Sequence, residues 1–120
     1  MTAYVRREDA MYARVVRFEG GDPSLIDEQI ADMKRQMDAS RSGDIPADAP
    51  EQVRTLMDTV TRFVELVDRT SGASVGIAFC ETEEDVRRAD AALDSMSPPQ
   101  DIGKRTSVDI YEVVLDESFG

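Results

Sequence analysis

The sequence predicts an α+β domain in which a four-stranded antiparallel sheet carries helices on one face. Four extended segments are rich in β-branched and aromatic residues. Apolar residues at helical spacing lie between the first and second of these segments and between the third and fourth. Turns with Gly or Pro separate them. At 120 residues the chain suits one domain. We expect this domain at 11–116, a loosely held leader at 1–10 (unless translation starts at Met11) and a short tail at 117–120.

Each predicted element has a local signal. Asp22 and Thr82 are suited to N-caps, and Pro23 to the first helical position. Gly72 allows the positive φ of a hairpin turn. In order along the chain, the predictions are a strand at 11–18, a helix at 23–39, a loop at 40–50, a short helix from Pro50 to Val60, strands at 61–68 and 74–80, a helix from Thr82 that Ser97, Pro98 and Pro99 end, and a strand at 107–115.

The order of these elements limits the topology. Strand–helix–short helix–strand followed by strand–helix–strand is the order of the ferredoxin-like plait, a four-stranded antiparallel sheet with helices on one face. The right-handed preference of crossover connections leaves few other arrangements. We therefore predict a ferredoxin-like fold.

The strands are apolar on both faces, although two main helices cover only one. Strand one alternates the apolar set Tyr12, Val16 and Phe18 with a second apolar set. The last strand does the same, with only occasional charges such as Asp109 and Glu112. Because an exposed sheet face this apolar is unfavourable in water, we predict that it packs on the same face of an identical chain as a homodimer.

Composition excludes several functional classes. The formal net charge of −11 argues against nucleic acid and against anionic membrane surfaces. No His, Trp or Asn is present, so His-dependent triads and His-ligated zinc or haem are excluded. Cys80 is the single cysteine and cannot build a disulfide framework or a multi-Cys metal site. We expect no metal and no cofactor, in a soluble cytoplasmic protein.

The sequence resembles the dimeric α/β-barrel superfamily, and within it the antibiotic-biosynthesis-monooxygenase-like domains. The resemblance spans about residues 11–115 and is most distinctive in the hairpin, where an LVDR strand end, a Gly turn and a strand running into Glu81 precede an acidic helix start. The matching stretches are MYARVVRFEGG, DPSLIDEQIADMKRQ, FVELVDRTSGASVGIAFCETEED and SVDIYEVV. The resemblance implies a homodimer of facing sheets, paired into a barrel, with a cavity between sheet and helices in each subunit.

The residues associated with chemistry in that superfamily are largely missing. Its cofactor-independent oxygenases are associated with Asn, Trp, Tyr and Arg around the substrate, and its haem-degrading members with Asn, Trp and a His ligand. Asn, Trp and His are absent here. Cys80 also stands before Glu81 where the superfamily often has Trp. These departures argue against haem degradation and weaken the case for oxygenation.

Five residues are candidates for a site. Glu65 lies between apolar neighbours, so burial would raise its pKa towards that of a general base, and Arg14 would stabilise developing negative charge. Tyr12 and Tyr111 would orient a ligand, and Cys80 would line the same cavity. Each has a structural alternative: paired charges for Glu65 and Arg14, half-buried packing for the tyrosines and a small buried hydrophobe for Cys80.

Two functional hypotheses follow. In the first, the dimer binds a small apolar or aromatic compound and abstracts a proton from it or oxidises it without a cofactor. In the second, the chain is a non-catalytic structural or regulatory dimerisation module whose interior is filled by its own side chains.

Overall fold

A computed structural model describes residues 11–41, 49–96 and 102–120. They form one four-stranded antiparallel sheet and three α-helices, as the sequence predicts. The elements are β1 (Met11–Glu19), α1 (Ile26–Arg41), α2 (Glu51–Thr59), β2 (Val60–Val67), β3 (Ser74–Cys80), α3 (Glu83–Asp94) and β4 (Lys104–Val113).

Most predicted boundaries are confirmed to within two residues, and the last strand needs the largest correction. It starts at Lys104 and ends at Val113, whereas residues 107–115 were expected. Pairing with β1 sets both ends, because Lys104 pairs with Glu19 and Val113 pairs with Met11. A short 3-10 helix at Pro23–Leu25 precedes α1. Helix α3 ends at Asp94 with Ser95 as its C-cap, before the Ser97, Pro98 and Pro99 that were expected to end it. The expected leader at 1–10 lies outside the described residues.

The sheet has the strand order β2-β3-β1-β4, with every pair antiparallel. Its register assigns the side chains to two faces, because paired residues of antiparallel strands share a face. Tyr12, Arg14 and Val16 pair with Cys80, Ala78 and Gly76, and this row faces the helices. The alternate residues of each strand face the other way.

The packed core lies between the sheet and α3. Cys80, Val86 and Ala89 have no exposed surface, and side chains from several elements pack around them: Tyr12, Leu56, Val60 and Ile110. The alanine side chains of α3 are short, so the helix backbone lies close to the sheet. The hydroxyl of Thr82 caps α3 by accepting from the N–H of Asp85 at 3.0 Å, as the sequence predicts.

Helix α1 packs far less completely. Ile26 is its one buried residue, while Ile30 and Met33 are half-buried and Met37 is exposed. The apolar stripe predicted for this helix is therefore present, but most of it lies only partly against the sheet.

The face of the sheet opposite the helices, which we call the open face, is covered by no described helix. It carries Met11, Ala13, Val15, Val64, Leu66, Val75, Ile77, Phe79, Tyr111 and Val113. Leu66 and Tyr111 are 50% and 52% exposed. The predicted apolar character of both faces is thus present. Among the described residues, no helix is long and apolar enough to cross a membrane.

Candidate functional site

A hollow lies on the helix side of the sheet, between the first turns of α1, the end of β2 and the start of β3. It contains Glu65, one of the five candidates from the sequence. Its lining is Gly21, Asp22, Ile26, Gln29, Ile30, Met33, Glu65, Val67, Gly72, Ser74 and Ile102. No lysine or arginine is among these residues.

The Glu65 side chain lies over Gly76 of β3. A Cβ atom at Gly76 would approach Glu65 Oε1 to 3.2 Å, closer than ordinary van der Waals contact, so the glycine leaves the room that the carboxyl occupies. Burial raises the pKa of Glu65 to about 7, and the Ser74 hydroxyl opposes that rise. No arginine among the described residues pairs with this carboxyl, so the carboxyl exists in both protonation states near neutral pH.

Ser74 is the second polar residue deep in the hollow. It is 6% exposed, and its Oγ makes no hydrogen bond of normal distance and angle within the part of the chain that the structure describes. The hydroxyl is nevertheless near enough to the Glu65 carboxyl to lower its pKa slightly. Buried hydroxyls nearly always have a partner, because an unsatisfied one costs about 1–3 kcal/mol. The pair therefore leaves hydrogen-bonding capacity that faces the hollow.

Two loops close one end of the hollow by a tight backbone crossing. Gly72 has φ 82°, and a Cβ there would stand 2.0 Å from the carbonyl oxygen of Gly21. A Cβ at Gly21 would in turn lie 2.8 Å from the carbonyl oxygens of Gly72 and Ile102. Glycine is required at both positions, since any side chain would separate the two loops.

Asp22 and Gln29 supply the other polar side chains of the lining. Asp22 Oδ1 accepts from the N–H of Ser24 at 2.9 Å and from its hydroxyl at 2.7 Å, and these bonds lower the pKa of Asp22. Asp22 is therefore a carboxylate at neutral pH, placed as the N-cap that the sequence predicts. The rim of the hollow is negatively charged.

The enclosed part of the hollow is small. Its volume is about 10 Å³, close to the minimum that one water molecule needs. The rest of the hollow is partly open, and residues of α1 line one side of it. A drug-sized compound does not fit the enclosed part, since small-molecule pockets usually measure about 300–1,000 Å³.

The structure places Arg14 away from this hollow. Arg14 is 4% exposed, and its Nε donates to Asp90 Oδ1 on α3 at 2.8 Å. Arg14 is therefore a buried, paired charge, which is the structural alternative that the sequence offered for it. The guanidinium is not part of the lining around Glu65.

The other candidates are dispersed as well. The Tyr12 hydroxyl donates to Glu112 Oε1 at 3.4 Å, beside the packed core. Tyr111 stands on the open face. Cys80 has no exposed surface, and burial, with a smaller contribution from the charge of Asp85, raises the pKa of its thiol to about 11. Of the five candidates, the structure brings Glu65 alone to the hollow.

Sequence reasoning missed two partners of Glu65. The sequence predicts Ser74 and Gly76 only as part of the strand at 74–80, with no role beside Glu65. A glycine opposite a glutamate on paired strands is a signal that could have been used, but it needs the register Glu65↔Gly76, and one sequence does not give register.

No group of three or more Cys, Asp or Glu side chains in the described part of the chain is arranged to hold a metal ion. A scan against protein-family models found no match, and a search of curated proteins found none either. The arguments below therefore depend on the geometry of this chain.

Proposed function

We propose that the chain acts as a symmetric homodimer joined through its open face, and that each subunit binds a small apolar compound at the Glu65 hollow. The strand order β2-β3-β1-β4 with helices on one face supports a ferredoxin-like plait. The resemblance of the sequence to the dimeric α/β-barrel superfamily supports pairing of two such sheets into a barrel.

The observation that carries the dimer is the apolar character of the open face. Leu66 and Tyr111 are half exposed there, with aliphatic side chains of the two central strands between them. Contiguous apolar patches of this kind mark interaction surfaces. Facing sheets pack about 10 Å apart through interdigitated side chains, and this burial would stabilise the pair.

The charges on the open face favour a second copy as its occupant. Arg62 lies on β2, with its guanidinium 5.5 Å from the centroid of the Phe79 ring, and Asp109 lies on β4. These strands are the two edges of the sheet. A two-fold axis parallel to the strands would set β2 of one copy opposite β4 of the other. By register Arg62 lies level with Tyr111, two residues along the strand direction from Asp109. Arg62 of each copy would therefore lie about 7 Å along the strands from Asp109 of the other, a distance that the long arginine side chain is able to span, in two equivalent ion pairs.

A charge exchange tests this dimer. We expect a dimer mass by light scattering at micromolar concentration. Arg62→Asp and Asp109→Arg should each weaken association roughly tenfold, because each puts like charges opposite one another. The double variant should recover it. A monomeric wild-type protein would refute the dimer, whereas a dimer indifferent to both single variants would refute only this orientation.

Ligand binding at the hollow is supported by Glu65, a half-buried carboxyl with a pKa of about 7 beside the buried Ser74 hydroxyl, which makes no hydrogen bond of normal distance and angle to the described residues. Such a carboxyl can accept a proton at neutral pH without a cofactor. Chemistry of this kind is proton abstraction from a carbon acid. Arg14 would not assist it from its place beside Asp90.

The small volume of the hollow favours the second hypothesis, a non-catalytic dimerisation module. The two are separated by following hydrogen–deuterium exchange at the α-carbon of an aryl ketone in D₂O by NMR. Proton abstraction predicts protein-dependent exchange that Glu65→Gln abolishes and Glu28→Gln leaves unchanged. Exchange that is equal with and without protein would support the dimerisation module.

A further inference from the structure

The polar groups of the Glu65 hollow share one electrostatic character. Two of them, Glu65 and Asp22, are carboxyls, and the other side chains that offer oxygen atoms are Gln29 and Ser74. None of the lining residues carries a positive charge. The nearest arginine in sequence to this end of the hairpin, Arg69, is already bonded to Asp27 at 2.8 Å. An anionic ligand would therefore meet uncompensated repulsion, whereas a cation would be attracted.

The Ser74 hydroxyl is a second polar group of the hollow, placed beside the Glu65 carboxyl whose pKa it lowers. It is more than nine-tenths buried and has no hydrogen bond of normal geometry, although it lines the hollow next to Glu65. A group that donates hydrogen bonds to both Ser74 Oγ and the Glu65 carboxylate would satisfy both. An ammonium group carries three such donors.

The small volume of the hollow limits the size of the polar group of a ligand that can enter it. Its enclosed volume of about 10 Å³ matches one water-sized group, and an –NH₃⁺ group is of that size. The α1 side of the hollow is lined by the apolar residues Ile26, Ile30 and Met33. A ligand with a small cationic head and an apolar body matches both parts of this lining.

A bare metal ion matches the site less well. Calcium requires about six to eight oxygen ligands, and magnesium a near-ideal octahedron of them. The hollow offers two carboxyls, and one oxygen of Asp22 is committed to Ser24.

We propose that the hollow binds the ammonium group of a small apolar primary amine, with Glu65 as its counter-ion, Ser74 as a second hydrogen-bond partner and the stripe of α1 against the apolar body. This inference rests on the proposed ligand-binding function of the same hollow, and it specifies the class of ligand. The Asp22 carboxylate at the rim adds longer-range attraction for the cation.

Three matched probes test the charge of the ligand. Phenethylamine, 2-phenylethanol and phenylacetate differ chiefly in the polar end, and each is titrated into the full chain at pH 8 while amide shifts are followed by two-dimensional NMR. We expect the amine to bind and to shift the amides of Ser74 and Gly72. We expect the alcohol to bind at least about tenfold more weakly, since a hydrogen bond to a charged group contributes about 1.5–3 kcal/mol, and phenylacetate not to bind.

Variants test the residues. Glu65→Gln keeps the shape of the side chain and should weaken amine binding at least about tenfold, and Ser74→Ala should weaken it several-fold. Glu28→Gln removes an exposed carboxyl that does not line the hollow, so it controls for attraction to a protein of net charge −11. It should leave the affinity unchanged. Unchanged amide spectra away from the hollow would establish that each variant is folded.

The outcomes separate this inference from the proposed function. Equal binding of the amine and the alcohol would overturn the choice of a cation while leaving the ligand site in place. Amine affinity that is unaffected by Glu65→Gln would place the amine on the general surface and overturn the inference. Absence of binding by all three probes would overturn both proposals.

Discussion

The two ends of the helix-covered face differ in how completely they are packed. Under α3, Val86 and Ala89 have no exposed surface. Under α1, which is longer, Ile26 alone is buried, and a hollow remains beside Glu65. Both helices lie on one sheet and both carry a predicted apolar stripe. Apolar residues at helical spacing are thus enough for a helix to pack on the sheet, but they do not ensure that the packing is close.

Side-chain size and charge explain the difference. The stripe of α3 is built from Val86, Ala89 and Ala92, which bring the backbone near the small residues Ala78 and Cys80. The opposite arrangement occurs at α1, where the long side chain of Met33 lines the hollow together with the Glu65 carboxyl. Unbranched methionine side chains fill irregular gaps loosely, so space is left there.

The largest expected effect sharpens this contrast. Val86→Ala should reduce the free energy of unfolding by about 2–3 kcal/mol, because it leaves a cavity in a close-packed core. Met33→Ala removes more atoms but should cost about 1 kcal/mol or less, since Met33 is half-buried beside existing space. Urea denaturation of both variants measures the two losses. Equal losses would show that the α1 side is as tightly packed as the α3 side.

Glu65 provides the next effect, which depends on pH. Its folded pKa of about 7 is raised above the ordinary value of 4.5 for a glutamate, so the folded state binds this proton more tightly than the unfolded state does. The contribution of Glu65 to stability is therefore fully present below about pH 4.5 and is lost as the pH rises to about 7. The difference between the two pKa values corresponds to about 3.4 kcal/mol, and because Glu65 is only half-buried, solvent screening should reduce the loss to about 2 kcal/mol.

Glu65→Gln should remove this dependence. The variant should be more stable than the wild type at pH 8, because glutamine does not carry the half-buried negative charge that Glu65 carries at that pH. At pH 5 the two proteins should be nearly equal in stability. Thermal unfolding of both proteins between pH 5 and pH 8 measures the difference. A constant difference across this range would contradict the burial of an ionisable carboxyl in the hollow.

The smallest effect concerns the ion pair on the packed side. Asp90→Asn should destabilise the protein by about 1–2 kcal/mol, because it leaves the buried Arg14 without its counter-ion. The lower end of this range is expected, since Asp90 is 37% exposed and water screens the pair. Denaturation at low and high salt measures it. A variant as stable as the wild type would show that water replaces the carboxylate fully.

Local sequence signals predicted most of the fold. Thr82 with the three acidic residues after it marks the start of α3, and the turn around Gly72 marks the β2–β3 hairpin. The site was predicted less well. Glu65 was identified from its apolar neighbours, but Arg14 was expected near it and instead pairs with Asp90. That choice depends on which helix lies over which strand, which no local pattern encodes.

The sequence by itself determined the helices, the strands, the two apolar faces of the sheet and the strong negative charge, because each follows from the periodicity, caps and composition of short segments. Tertiary structure alone decided which polar groups meet. Register places Glu65 over Gly76 and next to Ser74. The incomplete packing of α1 on the sheet leaves the hollow beside these residues. Both depend on distances between residues far apart in the chain, which are fixed only when the sheet and helices pack together.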